Sequence, residues 1–152
     1  PGPPSSWQTM ARSSPREALA AAPIDDVLER GGPEDVMLLA EVARRAGALE
    51  VAERAHRVAR ARFPGTEARA RSTFLLARML ADAQRIVEAE SLFAEYAALS
   101  PNGVFAQEAA ARLLEIARAR GDFAVTKVRA RAYLEHFPDG PAAAIARSEL
   151  RR

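Results

Sequence analysis

The chain of 152 residues has no cysteine, which excludes disulfides, thiolate metal sites and cysteine nucleophiles. Lysine occurs once, at Lys127, and tryptophan once, at Trp7. Aromatic residues make up only 6%, too few for a base-stacking platform of the kind single-stranded nucleic-acid binders use. The eight glycines lie at the start and at turn positions, so no glycine loop is available to cradle a phosphate. Serines are sparse and none is flanked as in a nucleophile elbow. No apolar run approaches the roughly 20 residues that span a bilayer. The opening Pro1-Gly2-Pro3-Pro4-Ser5-Ser6 lacks the charged and apolar regions of a secretory leader, and residues 1–6 read as a linker outside the fold. No stretch shows the two-residue alternation of a half-buried strand.

What remains is alanine, 35 residues, and arginine, 21, with 20 acids holding the net charge to +2. Small apolar and charged residues with few aromatics are the composition of packed helices. The organising feature is a period of 37 residues. Shifting the chain by that interval superposes Pro64, Pro101 and Pro138; Gly47, Gln84 and Gly121; and Leu39, Leu76 and Leu113. Leu49, Ile86 and Phe123 also coincide, as do Ala52, Ala89 and Thr126, and Ala59, Tyr96 and Tyr133. Three units align without a gap over 29–139.

Inside each unit the period is helical. Val36, Leu39, Ala40 and Ala43 recur at three- and four-residue steps, Gly47 offers the left-handed conformation that ends a helix, and Leu49 to Ala61 outline a second apolar face. Phe63-Pro64-Gly65 stops that second helix, because proline disfavours helix in the residue before it. Ser14-Pro15-Arg16-Glu17, with a capping serine, and the Gly32-Pro33 and Gly140-Pro141 pairs mark helix starts. These signals predict helices near 5–12, 15–22, 25–30, 33–46, 48–62, 67–82, 85–99, 104–120, 122–136 and 141–150. Neither helix of a unit can bury its stripe alone, so units are expected to stack.

At these positions the chain resembles the tetratricopeptide repeat family. Leu39-Ala40, Ala52, Ala59 and Pro64 match its pattern in the first full unit, and Leu76-Ala77, Ala89, Phe93 and Pro101 in the second. Leu113 and Pro138 keep the pattern in the third, where Leu114, Thr126 and Ala130 depart from it. Trp7 to Ala11 with Glu17-Ala18-Leu19 looks like a degenerate leading unit. The resemblance implies an all-α, tetratricopeptide-like α-α superhelix of about three and a half helix-pair repeats. It would form a single domain over 7–150, with units at 7–31, 32–65, 66–102 and 103–139 and a terminal helix at 141–150. The run Ile24 to Gly47, the Arg62-Phe63-Pro64-Gly65 turn and the ending Tyr133 to Pro141 are similar to envelope-associated repeat domains of Gram-negative bacteria. Among these are the C-terminal regions of FecR-like regulators of sigma factors and periplasmic assembly factors. That likeness implies a scaffold role in the cell envelope.

For function, the family resemblance points to the concave face lined by first helices. By register that face carries Glu34, Met37, Glu41, Arg44 and Arg45 from the first unit, and Arg71, Phe74 and Arg78 from the second. Glu108, Ala111, Glu115 and Arg118 come from the third. Phe74 between Arg71 and Arg78 reads either as an apolar anchor for a partner segment bearing a carboxylate or as a core residue packed on the neighbouring helix. The partner is expected to be a protein or peptide, bound without catalysis, metal or cofactor. His56 and His136 lie 80 residues apart without metal-ligand spacing, and His56, in register with Phe93, is expected to be a packed or half-buried ring. Two other readings stand beside this one. The chain could self-associate through Trp7 or the terminal helix. Alternatively, the arginines crowded over 54–78 could bind nucleic acid or anionic lipid.

Overall fold

The computed structural model describes residues 6–152 and is helical throughout, with no strand among them. Residues 1–5, most of the expected linker, lie outside the described residues, and Ser6 already opens the first helix. The helices are α1 Ser6–Met10, α2 Pro15–Ala21, α3 Ile24–Arg30, α4 Pro33–Arg45 and α5 Leu49–Arg62. They continue with α6 Glu67–Asp82, α7 Ile86–Leu99, α8 Ala106–Arg120, α9 Phe123–His136 and α10 Ala143–Arg151. The chain divides into two compact units, one ending at Leu76 and the other running Ala77–Arg152, with the division inside α6. In the first unit α4 packs on α5, and α2 and α3 pack on α4. In the second, α7 packs on α8, α8 on α9 and α9 on α10.

The 37-residue period is written into the backbone. Gly47, Gln84 and Gly121 all take positive φ, at 80°, 61° and 74°. Each closes the same ring. The N–H groups of Gly47, Gln84 and Gly121 donate to the carbonyls of Arg44, Ala81 and Arg118. Those of Ala48, Arg85 and Asp122 reach back five residues to Ala43, Leu80 and Ala117 at 2.8, 2.8 and 3.3 Å. This pair of bonds is the Schellman motif, which satisfies the orphan carbonyls of a helix end. The exits of the second helices repeat as well. Phe63, Ser100 and Phe137 donate to Ala59, Tyr96 and Tyr133, each with φ between −118° and −140°. Three copies of one helical hairpin thus recur at fixed spacing.

Two of the copies carry a device the first lacks. Tyr96 and Tyr133 are buried, and their hydroxyls accept the N–H of Phe105 and Ala142 at 3.1 Å each. A buried hydroxyl needs such a partner, and here it also fixes the start of the following helix. The close approach requires Gly103 and Gly140, where a Cβ would collide with the two hydroxyls. In the first copy Ala59 stands at the tyrosine position and Thr66 at the glycine position, and Thr66 instead donates its own hydroxyl to the Phe63 carbonyl at 2.7 Å. Tyrosine and glycine therefore occur together or not at all.

The same turns explain why α8 and α10 begin two residues later than expected. Bonds from Gly103 to Ser100, Ala106 to Gly103, Gly140 to Phe137 and Ala143 to Gly140 build tight turns ahead of each helix. At the other end of the chain, α1 stops at Met10 instead of reaching residue 12, and the carbonyls of Ala11 and Arg12 are taken by the Arg45 guanidinium at 3.1 and 3.0 Å. Ser14 makes no side-chain cap, contrary to expectation, although Pro15 does occupy the first turn of α2. Asp122 caps α9 by accepting from the Val125 N–H at 3.0 Å.

The core of the first unit gathers Trp7, Ala18, Leu28, Val36, Leu39 and Ala40. Trp7 is 2% exposed, so it is part of that core and not a surface for self-association. Burying an indole removes on the order of 200 Å² from water, worth several kcal/mol before entropy. In the second unit Leu114, Ala130, Tyr133, Ala143 and Ala146 join α8, α9 and α10. Alanine at these contacts lets helix axes approach closely, which explains how so few aromatics suffice.

Candidate functional site

Of the residues expected on a binding face, the structure brings together Met37, Glu41 and Arg44, spaced four and three apart along α4. Glu41 and Arg44 form a two-point pair, Arg44 Nε to Oε2 at 3.0 Å and Nη2 to Oε1 at 2.8 Å. The Arg44 hydrogen bond holds the Glu41 carboxyl below its ordinary pKa, against a smaller opposing effect of burial. Half-buried Met37 accepts the Ser72 hydroxyl proton at 2.8 Å to Sδ, and Ser72 Oγ lies 3.2 Å from His56 Nδ1.

His56 is 4% exposed, and burial pushes its pKa down to about 4. The nearby Glu41 charge opposes that shift and Arg44 adds to it. The ring is therefore neutral at neutral pH, and it packs where Phe93 packs in the next copy. Ser72 stands where Ala109 and Ala146 stand, and all three are buried. Sequence reasoning placed the His56 ring correctly and missed its partner. The available signal was that both positions of this buried pair turn polar together at one of the three register points, Phe93 with Ala109 and Ala130 with Ala146 standing at the others.

The remaining expected residues are placed differently. Phe74 is fully buried, so it is a core side chain and the surface-anchor reading fails. Ser72, Thr73, Leu76, Ala77 and Leu80 are buried beside it on α6, a broader buried face than a single stripe. Arg71 is exposed and Arg78 half-buried. Arg45 serves the α1–α2 turn, as described above. Arg118 donates to buried Glu149 at 2.8 Å, tying α8 to α10. Glu108 and Glu115 flank Arg112 on α8 at 3.9 and 3.7 Å, partly exposed pairs of little energetic weight. Glu34 is exposed in the first turn of α4 and Ala111 half-buried on α8.

Many of the crowded arginines have structural work. Arg54 pairs with Asp25 at 2.8 Å and Arg57 with Glu53 at 2.7 Å. Arg60 donates to the buried Thr73 hydroxyl at 3.1 Å, and Arg62 to the Leu28 carbonyl at 2.7 Å while lying 4.9 Å over the Phe63 ring. Among the described residues no cluster of three or more His, Cys, Asp or Glu is placed to hold a metal ion, and no helix is long and apolar enough to cross a membrane.

No family model matches the chain. No curated protein and no solved structure matches it significantly either.

Proposed function

We propose that the chain is a non-catalytic recognition module built as a tetratricopeptide-like superhelix, binding an extended protein segment along the first helices of its repeats. The observation that carries this reading is the threefold recurrence of one hairpin, closed by the same Schellman ring at Gly47, Gln84 and Gly121. Repeats joined at a fixed interval present equivalent helix faces at a fixed interval, which suits an extended ligand. On the first of these faces Met37, Glu41 and Arg44 supply an adaptable apolar surface beside a preorganised charge pair. A setting in the bacterial envelope, within a FecR-like regulator or an assembly factor, rests on the sequence resemblance alone.

The test is selection of binding peptides from a displayed random library, followed by affinity measurements on variants. Arg44→Glu and Glu41→Lys are expected to weaken selected peptides at least about tenfold, the worth of one charge-assisted contact. Glu135→Lys, on an exposed position of α9, is the control. Unchanged affinity in both α4 variants would remove this face from the account. Binding that collapses with added salt and favours polyanions would support the nucleic-acid or lipid reading instead. Association of the chain with itself, seen by sedimentation at rising concentration, would favour the self-association reading.

A further inference from the structure

A cavity of about 140 Å³ opens in the second unit between the end of α7, α8 and α9. Its lining is largely apolar, four alanines (Ala97, Ala106, Ala110 and Ala132) together with larger Leu113, Tyr133 and Phe137, and it includes Arg129 and His136. Its origin is visible in the repeat. Ala97, Ala106 and Ala110 stand in register with Arg60, Arg69 and Thr73, so three larger side chains are replaced by three methyl groups 37 residues on. Arg129 is the opposite exchange: its register partners, Ala55 and Leu92, are both buried apolar residues.

That exchange leaves a charged group in an apolar wall. Arg129 Nε is shielded from solvent and has no hydrogen-bond partner among the described residues. A shielded guanidinium N–H without an acceptor is costly; Arg129 as a whole lines the cavity, and a carboxylate is the anion whose two oxygens fit a guanidinium fork. The apolar walls ask for something different, a compact hydrocarbon group. An apolar cavity of about 150 Å³ is large enough for a benzene ring. His136 Nδ1 lies 3.1 Å from the Ala132 carbonyl, an acceptor only, so that nitrogen is the donor and Nε2 is left for other contacts.

We propose that this cavity binds a small monocarboxylate carrying one aromatic ring or a branched chain of similar size, with the hydrocarbon among the alanines and the carboxylate on Arg129. The site lies wholly within the second unit and does not depend on the α4 face described above.

The experiment uses the full chain and benzoate as the probe, followed by amide chemical shifts. Benzoate binds saturably with a dissociation constant on the order of 1 mM, as its few atoms allow, and the shifts concentrate on residues around 97–113 and 129–137. Benzyl alcohol, of like shape without the charge, and acetate, with the charge but no ring, each bind at least about tenfold more weakly. Arg129→Gln lowers benzoate affinity to that of benzyl alcohol while helicity is unchanged. Ala110→Leu fills the cavity and abolishes both. Absence of saturable shifts with the unaltered chain would overturn the proposal, as would equal binding of benzoate and benzyl alcohol. Equal binding of acetate, marking an unspecific anion site, or a benzoate preference that survives Arg129→Gln would do the same.

Discussion

Acidification should destabilise the protein through His56 before most of its carboxylates titrate. The folded ring has a pKa of about 4, lowered chiefly by burial, against about 6.5 when unfolded. Between those values the unfolded chain binds more protons than the folded one, so stability falls as pH falls. The contribution is fully present above pH 7, about 2 kcal/mol is lost by pH 5, and about 3 kcal/mol by pH 4. Glu41, whose folded pKa is lowered, acts in the same direction further into acid, its share being lost as it protonates. Urea unfolding at pH 7.5 and pH 5 measures the His56 share. The control is the double variant His56→Phe with Ser72→Ala, because the chain already holds Phe93 and Ala109 at the equivalent positions 37 residues on. The unaltered chain should lose about 2 kcal/mol more than the variant between the two pH values. An equal loss in both proteins would refute the assignment of a buried neutral imidazole at this site.

Further outcomes follow from the repeated geometry. Gln84→Gly should stabilise the chain by about 1 kcal/mol in urea unfolding, since Gln84 alone of the three ring positions holds a side chain at positive φ; a loss of stability would contradict the Schellman assignment. Gly103→Ala should cost roughly 1–3 kcal/mol by crowding the Tyr96 hydroxyl, and adding Tyr96→Phe should recover part of that loss in a double-mutant cycle. Arg118→Ala leaves buried Glu149 with the more distant Arg152, at 3.5 Å, and should lower the thermal midpoint by an amount equivalent to about 1–2 kcal/mol.

The helices were legible because each carries its own signal. Gly47 and Gly121 foretell left-handed turns, Pro33 a first turn, and the spacing of Val36, Leu39, Ala40 and Ala43 a buried stripe; each belongs to one short segment. Gln84 became readable only through its register with the two glycines, since glutamine by itself does not announce positive φ. The candidate site was less legible because its contacts join distant segments: Met37 meets Ser72 across 35 residues, and Ser72 meets His56 across 16. Phe74 read two ways for a local reason. Arg71 and Arg78 flank it and mark a wet face, yet buried Ser72 and Thr73 widen the dry side of α6 until it takes in Phe74. Small hydroxyl residues can be as buried as alanine when a partner receives their proton, and sequence polarity alone conceals that.

The central claim is that the chain is built from interchangeable hairpins recurring at a 37-residue interval, and excision tests it most directly. Removing residues 66–102 joins Gly65 to Gly103 in register, whereas removing 66–95 joins the same start out of register. The account predicts that the first deletion keeps its helicity per residue and a cooperative thermal transition, while the second does not. Loss of folding in both, or equal folding of both, would contradict it.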